Sequence, residues 1–284
     1  SPNVDSSQGF HIAEGPVWIQ DALYFSVIFG TTRPPGGRIE RFTEGQGTVF
    51  LANAASNGLA VDLMNRVYAT DHAGGTIKRY ALNDPSSITV IADSYQGARF
   101  NSPNDLAVHS NGSVYFTDPD WQAPAVSPQA ARRVYWVAPD GTVSAIEDGS
   151  AFSEGPGGPN GIQLSLDESK LYVSGNAPKL LRFSIAADGS ATPDGEIDLT
   201  ADAIGISGGL DGMTMDCAGH LYVTHGASVT VLDVSMPEDV KRIGAISVSG
   251  QATNVAFGRT TLYITSLNDP EIHTIDVGLP GLPY

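Results

Sequence analysis

Six residues able to present an oxygen stand at matching places in six copies of one short pattern: Glu14, Asn57, Asn104, Asn160, Asp211 and Thr253. Two carboxylates, three amides and a hydroxyl, with no Cys or His among them, form a hard-oxygen donor set. Such a set suits Ca2+ best, Mg2+ or Mn2+ less well, and Zn2+ least, because zinc sites draw on sulfur and nitrogen. Asn-Gly and Asp-Gly are also ordinary turn dipeptides. Glu14 and the pair Asn104-Asp105 do not fit a turn rule, whereas they fit a ligand rule. Successive members are 43, 47, 56, 51 and 42 residues apart, so they act together only if the fold returns each one to an equivalent place.

The surrounding sequence has that regularity. Each first position opens a short apolar stretch, answered downstream by a second built on tyrosine or phenylalanine and ending in Ser or Thr: 23–26, 67–70, 114–117, 171–174, 221–224 and 262–265. A period of this size marks an array of one supersecondary unit. Third strands are expected at 37–41, 77–82, 133–137, 180–185, 229–234 and 272–277, with weaker outer strands such as 48–50 and 89–91. Turns such as Asn111-Gly112 and Asp140-Gly141 join them, and no amphipathic helix of any length is visible. Units of four strands match propeller blades, each burying its faces against its neighbours. The expected fold is all-β, a six-bladed β-propeller forming one domain over residues 1–284. The sixth unit runs out after its third strand, while the segment from Gln8 to Ile12 has nothing before it to pair with. That N-terminal segment is therefore expected to supply the outer strand of the last blade, closing the ring and covering an edge.

Two connections between second and third strands are long, Val27 to Pro35 and Pro119 to Arg132. In a propeller both border the channel mouth where the first positions lie. The second carries Trp121 and three prolines, a composition for a semi-rigid lid over that mouth.

The formal charge is −16, from 31 acidic and 15 basic side chains. That balance repels phosphate backbones and argues against a nucleic-acid partner. No stretch reaches the roughly 20 apolar residues of a membrane-spanning helix. A single cysteine, Cys217, makes no intramolecular disulfide and is expected to be a small buried residue. The chain starts at Ser1 without a signal-peptide pattern, which leaves cytoplasm and export both open. The expectation is a soluble monomer acting on a small molecule.

Five blocks, 13–18, 99–106, 115–119, 159–162 and 210–213, together resemble the SMP-30/gluconolactonase family across nearly the whole chain. The resemblance implies one divalent ion held by Glu14, Asn160 and Asp211, with Asn104 as fourth ligand or substrate contact, and hydrolysis of sugar lactones or related esters. Phosphotriesterases of the diisopropyl-fluorophosphatase type share a similar Glu, Asn, Asn, Asp arrangement, so the substrate stays open between lactone, aryl ester and phosphotriester. Some members carry arginine where this chain has Ser102; Arg99 is the nearest basic residue. Lactone opening needs a base beside the cation, and Asp211 is the first candidate with Glu14 second. Candidate substrate contacts are Asn101, Asn104, Asp118, Trp121 and His225, within a rim that also includes Asp71, His72, Asn176 and Asn268. Rival readings are a non-catalytic propeller tied by its ion and a quinoprotein dehydrogenase; no basic cluster suited to a quinone's carboxylates supports the latter.

Overall fold

The computed structural model describes residues 11–30, 34–43, 45–152, 157–201, 203–236, 238–267, 269 and 271–282. The described residues are almost entirely β, with a single three-residue 3-10 turn at Ser150–Phe152. Runs of β-branched, aromatic and aliphatic residues between Gly, Asn and Asp form antiparallel strands, as the sequence pattern requires. Units two to five are four-stranded antiparallel sheets, each meandering outward from its first strand: Ser56–Val61, Leu106–Val108, Pro159–Leu164 and Met213–Met215. Unit one runs from His11–Ile19 through Ala22–Phe29 and Gly36–Thr43 to Gln46–Leu51. Unit six comprises Gln251–Gly258, Thr261–Leu267 and His273–Asp276. A single Ile12–Leu267 bridge joins units one and six into one seven-stranded sheet.

Of the segment expected to close the last blade, residues 8–10 lie outside the described residues. His11 and Ile12 pair with Phe29 and Ile28, extending the first strand of unit one. The connection expected from Val27 to Pro35 is shorter than its sequence suggested. Val27, Ile28 and Phe29 continue the second strand and pair with Arg38, Gly37 and Gly36, because these apolar residues have a full partner strand to pair with. By contrast, the connection between Asp118 and Arg133 has its expected length.

First strands touch in a cycle. Unit one contacts two, two contacts three, and so on to six, which contacts one again. Apolar packing follows the same order. Six buried clusters each join neighbouring units, among them Tyr24 and Ile39 with Leu59 and Val67 between one and two, and Ala13 and Phe25 with Ile272 between one and six. Trp18 stacks on Tyr263 at 5.4 Å across that last junction.

The Ser or Thr ending each second strand has a separate part to play. Thr70 Oγ1 donates to Asn104 O at 3.0 Å, Thr117 Oγ1 to Asn160 O at 2.6 Å, Ser174 Oγ to Asp211 O at 2.7 Å and Thr224 Oγ1 to Thr253 O at 2.9 Å. Thr253 Oγ1 in turn donates to Ala13 O at 2.6 Å, and Ser26 Oγ to Ser56 Oγ at 2.9 Å. Four of these hydroxyls thus fasten one unit to the first-position backbone of the next, while Ser26 and Thr253 tie their units to residues beside it. Ser174→Ala removes the bond to Asp211 O and a second, fully buried one, since Gly161 N also donates to Ser174 Oγ at 2.8 Å. It is expected to cost about 1–3 kcal/mol, measured by urea unfolding; an unchanged midpoint would show these staples to be dispensable.

Candidate metal centre

The first-position side chains converge. Asn57 Nδ2 donates to Asn104 Oδ1, and Asn104 Nδ2 donates to Asn160 Oδ1 at 2.6 Å. Asn160 Nδ2 donates to Leu210 O at 3.2 Å, and its side chain lies close enough to the Asp211 carboxyl to favour its charged form. Asp211 and Glu14 are near enough for each other's charge to matter. Four of the six are the residues expected from the sequence to be ligands, Glu14, Asn104, Asn160 and Asp211; Asn57 joins them through Asn104. Thr253 is turned to its neighbours instead, bonding Ala13 O and Thr265 Oγ1. The chain order explains why these residues meet. Glu14, Asn57 and Asn160 sit where a first strand bulges, between Glu14 and Val17, Ser56 and Leu59, and Pro159 and Ile162, whereas Asn104 and Asp211 stand just before the first strands of their units.

Electrostatics in the ring are severe. Burial pushes the Asp211 carboxyl up to about 8, with Asp105 adding to the shift. Burial, then Asp211, then Asp105 raise Glu14 well above the usual carboxylate range, against hydrogen bonds from Gly15 N and the Asn254 side chain. Asp105 itself is pushed up to about 7 by burial. Buried like charges of this kind ask for a compensating cation.

The donor set fits a hard divalent ion. It offers two carboxylates and two or three amide oxygens, and Asn57 Oδ1 is a buried oxygen with no hydrogen-bond partner. Glu14 is 6% exposed, whereas Asp211 keeps partial exposure, which leaves an approach from one side. Among the described residues, no group of three or more His, Cys, Asp or Glu that could hold a metal ion is found, so the fit of the ring rests on its amide oxygens beside its two carboxylates.

The candidate substrate contacts divide. Asn101 is buried with both amide ends engaged: Nδ2 donates to Ala131 O at 3.2 Å, and Oδ1 accepts from Gln129 N at 2.8 Å. Asp118 is buried and accepts from Asn101 N and Ser102 N, each at 2.9 Å. These two residues fold the base of the long connection, and Gln129 Nε2 pins its far end to Tyr95 O, Ala98 O and Arg99 O. Burial holds the Asp118 carboxyl up at about 7. Trp121 lies half-buried in that connection. His225 ends its strand half-buried, with Nε2 2.8 Å from Thr230 Oγ1, and burial lowers its pKa. Arg99 is spent on backbone carbonyls, including Ala73 O at 2.9 Å and His72 O at 3.3 Å. Of the wider rim, Asp71 pairs with Lys78, His72 is buried with Nε2 3.2 Å from Pro35 O, and Asn176 is exposed. Asn268 lies outside the described residues. Cys217, expected to be buried, is exposed, because it falls in the turn after a short first strand rather than within it.

Residues 12–268 match the family model described as the SMP-30/gluconolactonase/LRE-like region. The chain belongs to this family. Among curated proteins, a gluconolactonase of Zymomonas mobilis is 29% identical over 286 residues, spanning 89% of this chain and 76% of the relative. Among solved structures, a gluconolactonase of Xanthomonas campestris superposes with a TM-score of 0.75 at 28% identity, covering 96% of this chain and 87% of that one. A calcium-binding regucalcin from Agrobacterium tumefaciens gives 0.71 at 20% identity, covering 100% and 95%, a likeness of fold. In this SMP-30/gluconolactonase member, no helix among the described residues is long and apolar enough to cross a membrane.

Proposed function

We propose that this chain is a divalent-metal-dependent lactonase that opens small sugar lactones, built as a six-bladed β-propeller in one domain over residues 1–284. The cyclic contacts of the first strands and the cluster joining units six and one support the closed six-bladed ring. One observation carries the function: Glu14, Asn57, Asn104, Asn160 and Asp211, drawn from five units, meet in one buried ring with an unpartnered oxygen facing no protein donor. The gluconolactonases of Zymomonas mobilis and Xanthomonas campestris supply the substrate class.

Glu14, Asn104, Asn160 and Asp211 would hold the ion, which the oxygen-only set and the regucalcin likeness favour as Ca2+. When bound, such an ion polarises the lactone carbonyl and orients the attacking water. The protein's own contribution is a base. Asp211, the more exposed of the two acids, takes the proton from the attacking water at a carboxylate oxygen. That proton then passes to the ring oxygen as the C–O bond breaks and the open hydroxy acid leaves. Without a cation, a carboxyl held near 8 keeps its proton at neutral pH and is no base; positive charge among the amide oxygens restores the carboxylate. Trp121, half-buried in the connection between Asp118 and Arg133, and His225, at the end of the second strand of unit five, would contact the substrate.

A screen of aldonolactones, homoserine lactones, aryl esters and a phosphotriester, with Ca2+, Mg2+, Mn2+ or Zn2+ added, tests the proposal. Turnover is expected to be highest on aldonolactones with Ca2+. Preference for the phosphotriester would reassign the substrate, and no hydrolysis with any metal would favour a non-catalytic role.

A further inference from the structure

Directly after the ligand positions, the six units carry Gly15, Gly58, Asp105, Gly161, Gly212 and Asn254. Four are glycine because there is no room for a side chain. A Cβ on Gly58 would stand 2.4 Å from Asp105 Oδ1, one on Gly212 2.0 Å from Asn254 Cγ, and one on Gly161 2.5 Å from Asp211 O. The two exceptions, from units three and six, thus lie over the glycines of units two and five and reach under the ligand ring.

Their hydrogen bonds are directional. Asp105 accepts from Leu106 N at 2.9 Å and, across to unit four, from Ile162 N at 3.3 Å. Asn254 Oδ1 accepts from Val255 N at 2.8 Å, which leaves its NH2 as donor. That amide lies close enough to the Glu14 and Asp105 carboxyls to favour the charged form of each. Beneath the pair lies a cavity of about 90 Å3, lined in part by Val61, Ala107, Gln163, Thr214 and Leu282.

We propose that Asn254 and Asp105 form a polar floor beneath the metal ring, in which the Asn254 amide, anchored on Asp105, fixes the Glu14 carboxyl in its ligating position and separates it from the cavity below. Both are positioning residues; neither ligates the ion. The proposal rests on the metal reading given above but not on the identity of the substrate. Gly58 and Gly212 supply the space, and a side chain with one acceptor and two donors can serve Val255 N and both carboxyls at once. Residues holding a ligand in this way commonly change metal affinity by about 10–100-fold when replaced.

The test measures Ca2+ binding by titration calorimetry, without substrate, on the parent, Asn254→Leu, Glu14→Gln and the double variant. Thermal unfolding in chelator checks that each is folded. Asn254→Leu is expected to raise the Kd for Ca2+ by about 10–100-fold in the parent background, and by less than about twofold once Glu14 is already glutamine, because the two substitutions then remove one shared interaction. An equal loss in both backgrounds, or none in either, would overturn the proposal. Should Asn254→Leu not fold, Asn254→Ser, which also lacks the reach to Glu14, takes its place in the same cycle. A parent protein that binds neither Ca2+ nor Mn2+ would remove the metal reading and this floor with it, whereas a parent that binds Ca2+ but hydrolyses no lactone would leave the floor standing.

Discussion

Asp211→Asn is expected to lower lactone turnover by about 10²–10⁴-fold, the range typical of a lost general base. Its amide keeps an oxygen for the ion and preserves side-chain volume, so the fold and most of the ring stay in place. What disappears is the only acidic group of the ring that keeps partial exposure. The loss should fall mainly on kcat, since proton transfer is demanded only in the transition state. Calorimetry separates the two parts played by this residue: Ca2+ affinity should weaken modestly while turnover collapses. A variant that hydrolysed lactone at the parent rate would move the base elsewhere, with Glu14 next in line.

Removing the ion should be as damaging, and its signature depends on pH. In EDTA, turnover is expected to fall to background and to return with added Ca2+. The sign of the stability change follows from the carboxyls. Unfolded, Asp and Glu lose their protons near about 4. Folded without an ion, Asp211 holds its proton up to about 8 and Glu14 is raised in the same direction, mainly through burial. Between those values the folded state binds more protons, so the chelated protein is most stable at low pH and loses stability as pH rises toward about 8. Bound Ca2+ opposes that decline and, at 100-fold excess over its Kd, adds about 2.7 kcal/mol. Melting curves between about pH 5 and about pH 8.5, with EDTA and with Ca2+, should therefore diverge as pH rises. Parallel curves would mean that no cation answers these charges.

The ring of first positions was legible because repetition marks it: Glu14, Asn160 and Asp211 each precede an apolar strand at a matching place in its unit. The Ser or Thr closing each second strand was visible as a pattern, yet its work as a staple to the next unit was not, because hydrogen bonds between units leave no periodic trace of their own. Asn101 and Asp118 were named as candidate substrate contacts, and the hydrogen bonds they make to the long connection were not visible in the sequence. A polar residue near a site looks the same in sequence whether it faces a ligand or the backbone. Asp105 and Asn254 could have been found from one signal, that they alone interrupt glycine at the second position.

The amino-acid sequence alone determined the strand-rich class, the number of repeated units and the oxygen-bearing set, since alternation and period are local properties written along the chain. The tertiary structure decided which of those oxygens face one another, which acids are buried together, and what lies beneath them. Those outcomes depend on how closely separate strands approach, a distance set by packing at glycine and by hydrogen bonds between units that no local pattern encodes.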